Sequence, residues 1–360
     1  MCRVGRRRGR IGSISSLPAR DIVPVMITLV LGGQYGGEGK GKISAFLAEQ
    51  NHFDIVCRTG GVNSKHTAHK EGKAYDLRQI PTAATTSFKG KIVYGAGSLV
   101  HIPTLLEEME MLGVSRSQIL IDSQTGILTE ENIQSQRSDS RYITLGSTMT
   151  GTGHATAQRA LRKLPIAKDF SELTTILGNV SMFLHEQLAA GKNVMIEGHQ
   201  SSGLSNFHGD YPYTSNRDST AAALLSELGI GPRYPMRIVL VIKVFPTRNH
   251  NGRLPNEMTV EEADALNIKE YGGGSWGIEN NRRRVGRIDL EDIKRAVYLN
   301  TPTEIAVTGM DYLDPNSRLS TDWENLSEEG KNLIGQIEEA SDVPVSLIST
   351  GPETNSVICR

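Results

Sequence analysis

Short apolar runs alternate with amphipathic stretches along most of the chain. The runs fall at 27–31, 54–58, 91–94, 119–121, 194–197, 238–244, 305–308 and 345–349; they are β-branched and mostly unbroken. Strands covered on both faces read this way, whereas half-exposed strands alternate apolar and polar positions. Between them lie stretches of helical periodicity at 42–49, 103–112, 171–190, 220–228, 290–299 and 326–340. The alternation predicts an α/β fold, a mainly parallel central sheet with helices on both faces and the active site at the carboxyl ends of its strands. Residues 245–286 interrupt it with six Gly, two Pro and many charges. They predict long active-site loops, because loops of that length in a compact domain are usually functional. No internal repeat or low-complexity linker follows residue 25, so 26–360 is expected to form a single domain.

Charge adds one distinction. The 360 residues hold 39 Lys+Arg against 40 Asp+Glu, a balance that predicts neither a nucleic-acid nor a membrane partner. Residues 1–25, however, carry six Arg and one acid, leaving 33 basic against 39 acidic residues in the remainder. This Arg/Gly/Ser-rich leader has no apolar periodicity and no signal-peptide core. It reads as a disordered leader or as translation assigned upstream of a start at Met26, the other reading being a basic tail that touches nucleic acid. Cys2, Cys57 and Cys359 have no paired spacing, which excludes a disulfide framework and a four-cysteine zinc site. No apolar run approaches the roughly 18–20 residues of a membrane span. A cytoplasmic location is expected.

The chemistry concentrates first at Gly32-Gly33-Gln34-Tyr35-Gly36-Gly37-Glu38-Gly39-Lys40-Gly41-Lys42, where the first strand runs into a helix. Six glycines and two lysines at a strand–helix junction predict a phosphate site built from amide N–H groups and a helix N-terminus. The stretch from Gly36 to Lys42 nearly fits a P-loop, but Ile43 stands where Ser or Thr would bind Mg²⁺, and G-x-G-x-x-G does not match.

From Gln34 to Lys42 the sequence resembles the adenylosuccinate synthetase signature Gln-Trp-Gly-Asp-Glu-Gly-Lys-Gly-Lys. Further blocks resemble the same family in order: Thr59-Gly60-Gly61-Val62-Asn63-Ser64-Lys65-His66-Thr67; Ser147-Thr148, Gly151-Thr152-Gly153 and Arg162; Glu197-Gly198-His199-Gln200 with Leu204, His208-Gly209 and 211–216; Arg282-Arg283-Arg284-Val285-Gly286 with 289–300; Thr308-Gly309-Met310-Asp311; and Ser349-Thr350-Gly351-Pro352. The resemblance spans 27–356.

That resemblance implies joining of L-aspartate to C6 of a purine nucleotide in two steps, a triphosphate first phosphorylating the 6-oxygen and the aspartate amine then displacing the phosphate. It gives His66, Lys40 and Gln200 catalytic roles. His66 would stabilise the phosphoryl group in flight or act as general acid, and Gln200 would bond the 6-position. Gly36, Gly37, Glu38, Gly39, Lys40, Gly41, Lys42, Thr308, Asp311, Gly351 and Pro352 would hold the donor nucleotide. The purine monophosphate would lie on Gly37, Asn63, Ser147, Thr148, Arg162, Gln200 and Thr214. Arg282, Arg283 and Arg284 would clamp aspartate, a guanidinium fork matching a carboxylate. Mg²⁺ would bridge the phosphates, meeting the backbone carbonyls of Gly37 and Lys65. Members usually form homodimers in which an Arg crosses to the partner's site, so a homodimer is expected.

Three departures bear on substrate. Gly37 replaces the signature Asp, which in the family ligates Mg²⁺ and takes the N1 proton. Loss of a general base typically costs roughly 10²–10⁴-fold. Glycine here looks like the phage branch of the family, which acts on dGMP on the route to 2-aminoadenine nucleotides; it also implies free space beside N1 and C2 of the base. Ser64-Lys65 replaces Ala-Gly, bringing a new cation to the site. Gly309 replaces the Lys of the base-reading motif, pointing to ATP or dATP rather than GTP. The leading expectation is a dGMP–aspartate ligase. The alternatives are an ordinary synthetase using IMP and GTP, and a non-catalytic nucleotide-binding protein.

Overall fold

The computed structural model describes residues 26–249, 251–270 and 282–360. The basic leader and residues 271–281 of the long loop stretch lie outside these described residues.

Ten strands form one sheet. In chain order they are β1 (Ile27–Gly32), β2 (Ile55–Arg58), β3 (Lys91–Tyr94), β4 (Ile119–Asp122), β5 (Leu177–Gly178), β6 (Val194–Ser201), β7 (Met236–Lys243), β8 (Glu304–Thr308), β9 (Val345–Ser349) and β10 (Val357–Cys359). Their spatial order is β10-β9-β8-β7-β1-β6-β2-β3-β4-β5. Every neighbouring pair is parallel except β9 with β10. The cause is visible in the side chains. Ile27, Leu29, Leu31, Ile55, Cys57, Val194, Ile196, Leu240 and Ile242 enter one buried cluster. The intervening Val30, Val56, Met195, Val239 and Val241 enter a second. Because side chains alternate along a strand, unbroken apolar runs supply both faces at once.

Parallel strands bring their carboxyl ends to one edge. Gly32, Arg58, Gln200, Lys243 and Thr308 gather there. All eight predicted strands are present. Of the predicted helices, the stretch 171–190 is divided. It holds a 3₁₀ segment (Ser171–Ile176), β5 and a helix (Val180–Ala189), because Gly178 ends one element and the Asn179 side chain caps the next, accepting from the Met182 N–H at 3.0 Å.

Two features escape the periodicity. His66–Lys70 and Lys73–Leu77 form an antiparallel hairpin whose turn, Glu71-Gly72, holds both residues at positive φ. The long loop is also tied across its base, where Thr247–Arg248 pairs with Arg284–Val285. Among the described residues no helix is long and apolar enough to cross a membrane, and Cys57 and Cys359 are free thiols.

Candidate active site

β1 ends against Gly33, and the loop that follows reaches the helix α1 (Lys40–Gln50) through Gly36, Gly37 and Gly39, all at positive φ. Glu38 stitches this loop shut from within. Its buried carboxylate accepts the Gln34 and Gly36 N–H groups at 3.2 and 2.8 Å, and Lys40 Nζ at 3.0 Å. Thr308 Oγ1 donates to the Glu38 carbonyl at 2.6 Å and fastens the loop to the end of β8. The α1 N-terminus has no acidic residue in its first turn and no side-chain cap, so its amides stay open to an anion.

Beside this loop lies a cavity of about 260 Å³. Gly36, Gly37, Gly39, Lys40 and Gly41 form its phosphate-loop side. Glu38 does not reach it. Lys42 is also turned away: its ammonium donates to Ser349 Oγ at 2.6 Å, Ser356 Oγ at 2.9 Å and the Ser356 carbonyl at 3.0 Å, and contacts the Gly351 carbonyl. Burial pushes its pKa down to about 7. The expected pair of phosphate lysines is therefore one, Lys40, while Lys42 ties α1 to the loop after β9.

His66 opens the hairpin and sits on the cavity floor. Its Nδ1 stands 2.7 Å from both Arg58 Nη1 and Glu197 Oε1, and its Nε2 stands 3.1 Å from Ser64 Oγ. Arg58 also meets Glu197 Oε1 at 3.1 Å and donates to the Ser64 carbonyl at 2.8 Å. The other Glu197 oxygen accepts Thr82 N–H and Oγ1 at 2.9 and 2.8 Å. Burial, then the Arg58 charge, push the His66 pKa down to about 4 against the pull of Glu197. The imidazole is neutral at physiological pH and held by partners on both nitrogens.

Asn63, Thr148 and Gln200 line the same cavity. Ser147 instead bonds Gln136 at 2.8 Å, Thr214 bonds Asn206 at 3.3 Å, and Arg162 stands exposed beyond the helix Thr152–Ala160. The single chain does not bring these three into the cavity. Lys65 lines it, but its ammonium pairs with Asp76 at 2.7 Å, so the new cation is matched by a carboxylate on the hairpin.

The three consecutive arginines separate. Arg283 lines the cavity, whereas Arg282 pairs with Asp264 at 2.8 Å and Arg284 with Glu257 and the Gly252 carbonyl. Extended backbone sends alternate side chains to opposite sides, so one run of three cannot close on one ligand. Arg283 also corrects the expectation of free space at Gly37. A Cβ built there would collide with Arg283 Nη1 and Thr247 Oγ1. The guanidinium occupies the place where the family's signature carboxylate would begin. At the far end, Asp311 pairs with Arg318 at 2.8 Å and Pro352 is exposed; neither lines the cavity.

Comparison with known proteins decides the family. The adenylosuccinate synthetase family model matches residues 29–169 and 164–321. Adenylosuccinate synthetase from Methanocaldococcus jannaschii is 40% identical over 343 residues, covering 94% of this chain and 98% of that protein. The enzyme of that name from Methanococcus maripaludis strain C7 is 41% identical over 335 residues, covering 92% and 98%. The chain belongs to the adenylosuccinate synthetase family. Its members are carbon–nitrogen ligases.

Solved structures share the fold. The fully ligated adenylosuccinate synthetase of Plasmodium falciparum superposes with a TM-score of 0.85 at 22% identity, covering 94% of this chain and 100% of that one. The succinoaminodeoxyadenylate synthetase of cyanophage S-2L, solved with dGMP and dATP, gives 0.79 at 22% identity, covering 93% and 95%.

Within this family fold, sequence reasoning missed the Arg58–Glu197 pair, Thr247 and Glu270. Arg58 and Glu197 had a usable signal, each being a charge at the carboxyl end of an otherwise apolar run. Thr247 and Glu270 had none, since they lie in loops whose return to the cavity depends on the short Thr247–Arg248 pairing.

Proposed function

We propose that the chain joins L-aspartate to C6 of a 6-oxopurine nucleoside 5′-monophosphate, spending a triphosphate to activate the 6-oxygen. The observation that carries this reading is the convergence, in one cavity, of an uncapped helix N-terminus with Lys40, a neutral buried His66, the amide Gln200 and the guanidinium of Arg283. The first suits the donor phosphates, His66 the transferring phosphoryl group, Gln200 the purine edge, and Arg283 a dicarboxylate. Mg²⁺ supplies charge neutralisation between phosphates when bound. The residues present suit it: Gly37 and Lys65 both line the cavity, and the Lys65 ammonium is drawn off by Asp76. Oxygen donors of this kind match a hard cation that keeps much of its water.

The purine has two readings. The relatives at 40% and 41% identity are named adenylosuccinate synthetase, which supports IMP with GTP. The second reading, dGMP with ATP or dATP, is favoured by Gly37, where the signature carboxylate is missing, and by Gly309, which leaves Lys243 and Tyr312 facing an empty Cβ position. The deciding experiment incubates the protein with aspartate, Mg²⁺ and ATP or GTP, compares IMP with dGMP, and follows phosphate release. Turnover of dGMP alone selects the second reading, and turnover of IMP alone the first. Nucleotide binding without turnover of either sinks the ligase assignment. We further propose a homodimer, in which Arg162, exposed and outside its own chain's cavity, serves the other copy's cavity; a monomer by light scattering at assay concentrations would exclude it.

A further inference from the structure

We propose that Glu270 takes the N1 proton of the purine, a role that rests on the ligase reading above. A 6-oxopurine carries its proton on N1 as a lactam, and O6 is a poor nucleophile until that proton has an acceptor. Among the described residues that line the cavity, Glu270 is the one carboxylate. The nearest other carboxylate on the phosphate loop, Glu38, is consumed by two backbone N–H groups and Lys40. The two imidazoles are poorer acceptors. His66 is held by Arg58, Glu197 and Ser64. His199 meets Thr59 through Nδ1 at 3.1 Å while its Nε2 is buried without a partner, and burial, then the Arg217 charge, push its pKa well below the ordinary value.

Position supports the same residue. Arg283 Nη1 stands 3.5 Å from Glu270 Oε2, and that same nitrogen is the atom a Cβ on Gly37 would strike. Glu270 and position 37 thus face one guanidinium from two sides, and a carboxylate on Glu270 approaches from the loop wall the volume that a side chain at 37 would reach from the phosphate loop. Lys243 contacts the other Glu270 oxygen and lies 5.7 Å from the Tyr312 ring centre. Burial favours the neutral acid, but Lys243 and then Arg283 outweigh it and hold Glu270 as the carboxylate, the form that can accept a proton. When the carboxylates of aspartate engage Arg283, that guanidinium loosens its hold on Glu270, and the remaining carboxylate becomes a stronger base.

The step balances as follows. The N1 proton passes to Glu270, the freed electron pair makes O6 the nucleophile, the O6–Pγ bond forms, and the β–γ bridge breaks with its electrons leaving on the nucleoside diphosphate. The aspartate amine, entering as its free base, then forms the C6–N bond. The C6–O6 bond breaks, and the departing phosphate carries off the proton held on Glu270 while the surplus amine proton goes to solvent.

The test is Glu270→Gln, assayed by phosphate release with whichever of IMP or dGMP the wild type converts. The expected result is a fall in kcat of roughly 10²–10⁴-fold with loss of the acidic limb of the kcat/KM pH profile. Glu270→Asp keeps the charge against Lys243 and Arg283 and should fold normally while losing reach, with kcat down about tenfold. Glu270→Gln within about threefold of wild type, or an unchanged acidic limb, would each overturn the proposal. A wild-type protein that converts neither purine overturns the ligase reading, and this assignment with it.

Discussion

The floor and the loop wall of the cavity are built by opposite means. The floor is made of strand ends: Arg58 closes β2, Glu197 lies within β6, and His66 is clasped between them with Thr82 beneath. All four side chains are buried. The wall is made of Gly37, Glu270 and Arg283 from loops and Thr247 from the short pairing at the loop base, with Arg283 half-buried and partnered by a single carboxylate at 3.5 Å. A buried charge without its partner is expensive, so the floor tolerates one arrangement. On the wall the Arg283–Glu270 pair is partly exposed, so the cost of breaking it is smaller. On the proposed function, the difference divides the chemistry: phosphoryl transfer would rest on the buried sheet edge, and choice of purine and amine donor on the more exposed wall.

Several substitutions probe that division, beginning with the strongest. His66→Ala should lower single-turnover phosphate release by roughly 10³-fold or more. Near-normal release would make the floor a scaffold only. Arg58→Met leaves Glu197 buried without its guanidinium and should cost about 3–5 kcal/mol in urea unfolding; a loss below about 1 kcal/mol, as for an exposed pair, would erase the contrast with the wall.

Acid should act on the floor as well. The folded His66 pKa of about 4 lies below its ordinary 6.5, so between those values the unfolded chain binds a proton that the folded chain refuses. The stabilisation is complete above 6.5 and is lost as pH falls toward 4, by up to about 3 kcal/mol. Urea midpoints at pH 7 and pH 5 should differ less in His66→Gln than in wild type, and equal differences would contradict the assignment.

On the wall, Arg283→Ala should raise KM for aspartate about ten- to a hundredfold, the worth of one charged hydrogen-bonding fork. The smallest effect is expected for Arg282→Ala, whose side chain serves Asp264, with KM within about threefold. Equal effects at 282 and 283 would mean that the run acts as one clamp after all.

Much of this was legible before any coordinates. Unbroken β-branched runs became the parallel sheet because both of its faces are covered, and the glycine-rich junction became an anion-ready helix start. Direction was not legible. Composition marks Glu38 and Lys42 as members of a phosphate loop, yet one folds back onto the loop's own amides and the other crosses to residues 349–356. Three adjacent arginines read as one cationic patch until the extended backbone separates them. The hairpin bearing His66 was hidden because its strands are mostly half-exposed and polar, with no apolar run to announce them.

The Lys42 crossing has a consequence in time. Its oxygen partners lie 307 to 314 positions later in the chain. A growing polypeptide has already made the phosphate loop and the start of α1 when it has made none of those partners. Until β9 and the segment behind it arrive, Lys42 lacks the buried oxygens that receive its ammonium, and the start of α1 is held only by earlier contacts such as Thr82 Oγ1 on the Gly41 carbonyl at 2.8 Å. Completion of the Lys42 anchor therefore waits for residues 349–356, so chains that stop before them should bind nucleotide more weakly than the full chain.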